Sequence, residues 1–219
     1  MGGFQWWHQG DAVTQGTALL LLAMSVASWM AVLWKLRLWW RVRADLPRAL
    51  AALWQASSLE LAVQRLPAFD REGLVQPLLL AAQIATVSSS ETALATQAHR
   101  SAQLTRSLRA ALQSAVDRLQ AGQILLATVG STAPFVGLLG TVWGIHHALT
   151  ALTAGGPVTI DRLSGPVGEA LVMTAAGLAV AIPAVLAYNL FGRFIARTEA
   201  ELEGLAHDLH ELLAPAEAA

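Results

Sequence analysis

Two apolar runs near the C-terminal end, Leu125–Leu152 and Pro166–Phe191, constrain the fold of this chain more than any other feature. Each is longer than the ~20 residues that a helix rising ~1.5 Å per residue needs to cross a ~30 Å hydrocarbon core. Together they hold one formal charge, Glu169, about one turn into the second run. A carboxylate near lipid has to be paired, protonated or wetted, so Glu169 is a candidate functional residue. An interfacial Glu that merely snorkels is the plainer alternative, but an acid serving only the helix N-terminus would sit outside the apolar run, at Ser164 or Gly165.

A third run, Ala12–Trp34, holds no Lys, Arg, Asp or Glu. It follows an N-terminal segment without Lys or Arg, so it reads as an uncleaved membrane helix and not as a signal peptide. Lys35, Arg37, Arg41 and Arg43 come next, with Trp29, Trp34, Trp39 and Trp40 at the same end. An aromatic belt backed by basic residues marks the cytoplasmic side, which places the N-terminus outside. The same four cations suit anionic phospholipid headgroups. Between Lys35 and Gly122 there are eleven basic against six acidic residues, whereas from Gly192 onward there are two against six. With 55% hydrophobic and 13% charged residues over 219 positions, the composition is that of a helical membrane protein.

These features predict an all-α membrane protein with three transmembrane helices, whose long helices extend into a cytoplasmic helical domain. The expected order is a periplasmic N-terminus at 1–11, a first span at 12–34, a cytoplasmic helical domain at 35–122, and a second span at 123–152. A periplasmic loop at 153–165, a third span at 166–191, and a cytoplasmic C-terminal helix and tail at 192–219 complete it. Within the cytoplasmic part, helices are expected over Asp45–Ser58 and Leu59–Pro67. From Pro77 to Gln120, with Leu94, Ala98, Leu104, Leu108, Leu112, Ala115 and Leu119 spaced near 3.5 residues, the pattern predicts one long amphipathic helix. A single Gly122 separates it from the second span, which predicts one continuous rod. Arg100, Arg106, Arg109 and Arg118 lie on its other face without interleaved aromatics, as a solvated face requires and a nucleic-acid surface does not. The tail carries a weaker stripe at Leu202, Leu205, Leu209 and Leu212.

In the second span Gly130, Pro134, Gly137, Thr141, Gly144 and Ala148 recur every three or four residues and share one face. The third has Thr174, Gly177, Ala181 and Ala184. Lipid offers no hydrophobic reward for helix association, so small residues mark the helix-packing faces and threonine supplies a hydrogen bond between them. Pro134 leaves one backbone carbonyl without its usual donor, for which Ser131, Thr132 or water are the nearby candidates. Thr141 and Thr174 fall near mid-membrane, where a lone threonine commonly bonds back to its own helix. Glu169 and Thr174 are about 140° apart around an ideal helix and need not face one path.

The absence of cysteine excludes disulfides, thiolate metal sites and cysteine nucleophiles. His146 and His147 are adjacent, point ~100° apart and have no further ligand to complete a metal site. No nucleophile elbow, zinc-protease or phosphate-loop motif occurs. No enzyme activity, metal or cofactor is therefore expected. One acid is too few for an autonomous proton relay, so any titratable carrier should belong to another subunit.

The stretches Thr128–His147, TVGSTAPFVGLLGTVWGIHH, and Gly165–Asn189, GPVGEALVMTAAGLAVAIPAVLAYN, cover about a fifth of the chain. They closely resemble the MotA/TolQ/ExbB proton channel family, the STAPF block on its ExbB side and His147 of GIHHAL on its TolQ side. The resemblance implies an inner-membrane motor subunit that uses the proton motive force with ExbD to energise TonB. It also implies a homopentamer of three-span subunits around an ExbD pair whose membrane Asp carries the proton. Thr141 of GTVWG and Thr174 of MTAAGL would then line the proton pathway, with Glu169 of GEAL nearer its outer mouth. A TolQ-like subunit of the Tol envelope system and a passive membrane scaffold are the other readings.

Overall fold

The computed structural model describes residues 11–87, 94–153 and 160–213. They form six α-helices: α1 Ala12–Trp54, α2 Leu59–Arg65, α3 Gln76–Val87, α4 Leu94–Gln120, α5 Gln123–Thr153 and α6 Ile160–Leu213. A single 3-10 turn, Leu66–Ala68, follows α2, and no strand occurs among the described residues. Three helical stretches, within α1, α4–α5 and α6, are long and apolar enough to cross a membrane. The all-α class with three helices able to span a membrane, read from the sequence, is the one observed.

Several boundaries differ from the expectations. α1 runs unbroken for 43 residues, because no glycine or proline separates the first apolar run from the segment expected to start at Asp45. α6 begins at Ile160, six residues upstream of Pro166, which makes part of the expected loop helical. Pro166 therefore lies inside the helix, where it removes one backbone donor without ending it. The expected helix from Pro77 to Gln120 is found as α3 and α4, with 88–93 outside the described residues. The N-terminal segment 1–10, the loop residues 154–159 and the tail end 214–219 also lie outside them.

The helix expected to run on through Gly122 is interrupted there. α4 ends at Gln120, and Gly122 adopts φ +78°, a left-handed conformation open to glycine at little cost. The Ala121 N–H bonds the Asp117 carbonyl at 3.1 Å, and the Leu126 N–H bonds the Gly122 carbonyl at 3.2 Å as α5 starts.

The chain divides into two compact units. One comprises the residues up to Trp34 with Gly122–Leu190. Its helices leave large apolar side chains outward, among them Leu22, Val26 and Met30 on α1, Phe135 and Val142 on α5, and Ile182 and Leu186 on α6. That pattern suits a hydrocarbon solvent.

The other unit comprises Lys35–Ala121 with the residues from Phe191 onward. Here the burial is that of a water-soluble core. Val42, Leu46, Ala49 and Leu53 of α1 meet Leu78, Leu79 and Ala82 of α3, Leu104, Leu108, Ala115 and Leu119 of α4, and Ile195, Leu202, Leu205 and Leu209 of α6. Each buried leucine contributes roughly 1.5–3 kcal/mol relative to an exposed one. Of the α4 stripe, Leu104, Leu108, Ala115 and Leu119 are buried with Leu112 packed against them, and of the tail stripe Leu202, Leu205 and Leu209 are buried while Leu212 is 65% exposed. Ahead of α3, the buried Asp70 carboxylate accepts the Leu74, Val75 and Gln76 N–H groups at 2.9, 2.8 and 2.8 Å. It satisfies donors that the start of a helix otherwise leaves unpaired.

Candidate functional site

α5 and α6 cross at a seam made of glycine and alanine. A Cβ placed on Gly137 would lie 2.6 Å from the Met173 carbonyl oxygen, and one on Gly177 would lie 2.6 Å from that of Ala133. At one end of the seam a Gly130 Cβ would meet Val185 Cγ2, and at the other a Gly144 Cβ would meet Ala170 Cβ. The partner on α6 recedes as the position on α5 advances, so the helices run antiparallel. Backbones approach this closely only where side chains are absent or minimal.

The helix-packing residues read from the sequence are placed as follows. Gly130, Gly137, Gly144 and Gly177 lie at the crossing, and Ala148 and Ala181 are buried. Pro134 is half-buried beside the seam, where Ala133 is fully buried. Ala133 and Gly140 were not singled out by the spacing, although Gly140 sits against Met173. Ser131 and Thr132 do not serve the carbonyl that Pro134 leaves without a donor. Their hydroxyls bond the Thr128 carbonyl, at 3.1 and 2.7 Å.

Thr141 and Thr174 meet across the seam through a hydrogen bond between their hydroxyls. Thr141 Oγ1 is also 3.1 Å from its own helix's Gly137 carbonyl and 3.0 Å from the Ala170 carbonyl on α6. A hydroxyl has one proton and two acceptor lone pairs. Thr141 therefore donates to one carbonyl at a time while Thr174 donates to Thr141. Thr141 is 7% exposed, so its hydroxyl is covered, whereas Thr174 is partly open. The two threonines form one hydrogen-bonded unit with an accessible end at Thr174.

Glu169 is exposed, and no hydrogen bond or ion pair joins it to another described residue. Its neighbour Ala170 turns into the seam in its place. The threonines are thus brought together and the carboxylate is not.

A polar contact that spacing did not reveal joins α5 to the start of α1. Asp11 accepts the Ala12 N–H through Oδ1 at 2.7 Å and the Trp143 indole N–H through Oδ2 at 3.0 Å. His147 Nδ1 lies 3.9 Å from the same Oδ2, and His146 packs beside the Trp143 ring. The adjacent histidines diverge, as their angular separation requires. No group of three metal-ligating side chains occurs among the described residues. The one sequence-level hint was Trp143 itself, since a tryptophan in an apolar run needs an acceptor for its N–H.

The four cations after the first span have different fates. Arg37 is exposed, Arg41 pairs with Glu72 at 2.9 Å, and Arg43 lies 5.7 Å from the Trp39 ring centroid. Lys35 is 2% exposed and donates to the Leu119 carbonyl at 2.9 Å, so its ammonium is buried and not free for a headgroup contact.

Residues 78–204 match the model of the MotA/TolQ/ExbB proton channel family. The chain is 41% identical over 214 residues to the biopolymer transport protein ExbB of Xanthomonas campestris pv. campestris, covering 94% of this chain and 83% of that protein. It is 38% identical to the ExbB of Neisseria meningitidis serogroup A, covering 93% of each. Similarity to the Tol-Pal system protein TolQ of Pseudomonas aeruginosa is more local, 47% over 94 residues, or 43% of this chain and 39% of that protein. The family match takes in the seam and both threonines together with half of the second unit. The chain belongs to the MotA/TolQ/ExbB proton channel family.

Proposed function

We propose that this chain is the ExbB-type stator and proton-channel subunit of an inner-membrane complex. It works with ExbD to energise TonB-dependent transport across the outer membrane. The observation that carries this reading is the extent of the similarity. The ExbB proteins of Xanthomonas campestris and Neisseria meningitidis align over nearly the whole chain, helical domain included, whereas the TolQ protein of Pseudomonas aeruginosa, like the ExbB of Pseudomonas putida, aligns over less than half.

The site chemistry agrees. The seam presents hydroxyls and no titratable group, so the chain forms the wall of a proton path and not its carrier. The carrier is an acidic side chain on ExbD helices enclosed by several copies of this chain, in a homopentamer. Thr174, the open end of the threonine pair, faces that path, with Thr141 behind it. Glu169 stands nearer the outer mouth, where it collects or releases protons. The basic and aromatic residues that close the first apolar run support an outer N-terminus and an inner helical domain at 35–122. The membrane layout is then 12–34, 123–152 and 166–191. No catalytic turnover is assigned to the chain.

The test uses the purified complex with ExbD in proteoliposomes, with proton flux driven by a pH gradient. Thr174→Ala and Glu169→Ala should lower flux without changing the assembled mass. Unchanged flux in both would leave only the scaffold reading. Growth on ferric-siderophore iron in a strain lacking its own ExbB should be restored. Rescue of detergent sensitivity alone would favour the Tol system, which the local similarity to TolQ and His147 of GIHHAL would then explain.

A further inference from the structure

Lys35 is a cation in an unusual place. Its neighbours in sequence, Trp34 and Arg37, are exposed, yet Lys35 itself is 2% exposed. Removing an ammonium from water is costly unless strong acceptors replace the lost hydration. Two groups do so here. The Leu119 carbonyl accepts from Nζ at 2.9 Å, and the Phe191 ring centroid lies 5.8 Å away.

The carbonyl is a particular one. Leu119 belongs to the last turn of α4, whose final carbonyls have no successor N–H within the helix. Ala121 turns its N–H back to the Asp117 and Arg118 carbonyls, and the left-handed Gly122 diverts the chain before Leu119 finds a backbone donor. Leu119 is itself 1% exposed, so water is a poor substitute. The C-terminal end of a helix carries partial negative charge, and a cation there is favourable. The ammonium, the unpaired carbonyl and the helix dipole therefore match in sign and geometry, and Phe191 adds the face of an aromatic ring.

We propose that Lys35 is a positioning residue that caps α4 from another helix and thereby fixes where α4 stops. In this role the lysine favours the interrupted backbone at Ala121–Gly122 over a helix continuing through it. A left-handed glycine permits the helix to stop there, and the ammonium supplies the donor that the stopped helix leaves its Leu119 carbonyl without. The inference stands on the geometry of α1, α4 and α6 and does not depend on the proton-channel reading.

The test is hydrogen exchange of the full chain in nanodiscs, followed by mass spectrometry on peptides spanning 117–126. Lys35→Met keeps length and apolar bulk but loses the donor. It should speed exchange there about tenfold, as expected when a buried carbonyl loses its partner and the helix end opens. Lys35→Arg, which keeps charge and donors, should restore most of the protection, and Arg37→Met should leave it unchanged. Exchange in Lys35→Met equal to that of the parent chain would overturn the proposal, as would equal loosening at the distant Asp70 cap of α3. If Lys35→Met does not accumulate, Lys35→Leu, which also lacks a donor, is read in the same way, and wild-type protection in that variant would likewise refute the cap. Loss of flux in Thr174→Ala is a separate outcome and bears only on the channel.

Discussion

Alanine at Gly177 tests the α5–α6 seam directly. The new Cβ would fall 2.6 Å from the Ala133 carbonyl oxygen, 3.0 Å from Gly137 Cα and 3.2 Å from Gly137 N. All three are backbone atoms, so no rotamer change relieves the contact. Comfortable separations between non-bonded heavy atoms are ~3.5–4.0 Å, and the helices must part by roughly 1 Å to reach them. Overpacking of this kind costs typically ~1–3 kcal/mol. At ~2–4 °C per kcal/mol for a chain of this length, thermal unfolding in one fixed detergent should move down by roughly 2–12 °C. Gly168→Ala is the control, because nothing lies within 4 Å of its Cβ and only glycine's helix penalty is removed. Gly137→Ala should behave like Gly177→Ala. The double variant should cost less than the two singles together, since both strain one contact and helices already parted by the first Cβ admit the second. Unfolding of Gly177→Ala at or above the temperature of Gly168→Ala would refute the close crossing.

Two further predictions rest on polar contacts. Asp70→Ala strips three N–H groups at the start of α3 of their acceptor, Leu74 and Val75 being buried. At ~1–3 kcal/mol for a buried donor left unsatisfied, the loss should exceed ~2 kcal/mol, and protease susceptibility around residues 70–78 should rise while the seam stays intact. Asp11→Ala should shift the Trp143 indole N–H resonance away from its hydrogen-bonded position in nitrogen-labelled protein, with Trp143→Phe identifying the signal. An unmoved resonance would show that the contact is not made in the membrane.

Much of this architecture was legible because local periodicity reports which face a helix buries. The three apolar runs lie in the three helical stretches that are long and apolar enough to cross a membrane. The stripe at Leu104, Leu108, Ala115 and Leu119 became core, and the glycine spacing of the second run became the seam. Helix boundaries were less legible. Nothing in the residues between Lys35 and Asp45 distinguishes one helix from two, and proline at 166 lies inside α6 although a proline disfavours helix in the residues just before it. The break at Gly122 was missed for a different reason. The propensity of one glycine leaves continuation open, and the residue tied to the free carbonyl lies elsewhere in the chain.

What the sequence determined by itself, then, is the membrane class, the number of spans, the small-residue faces and the pairing of threonine-bearing runs. These follow from composition and from repeats of three and four residues, which any helix expresses whatever its neighbours. The tertiary structure alone decided that Thr141 is covered while Thr174 stays open, and that Glu169 stands apart from both. It also decided that Lys35 reaches a carbonyl 84 residues away and Asp11 an indole 132 residues away. Such contacts depend on how helices are registered against one another. That register is set by close packing along the whole seam and core, not by any pattern local to the residues it brings together.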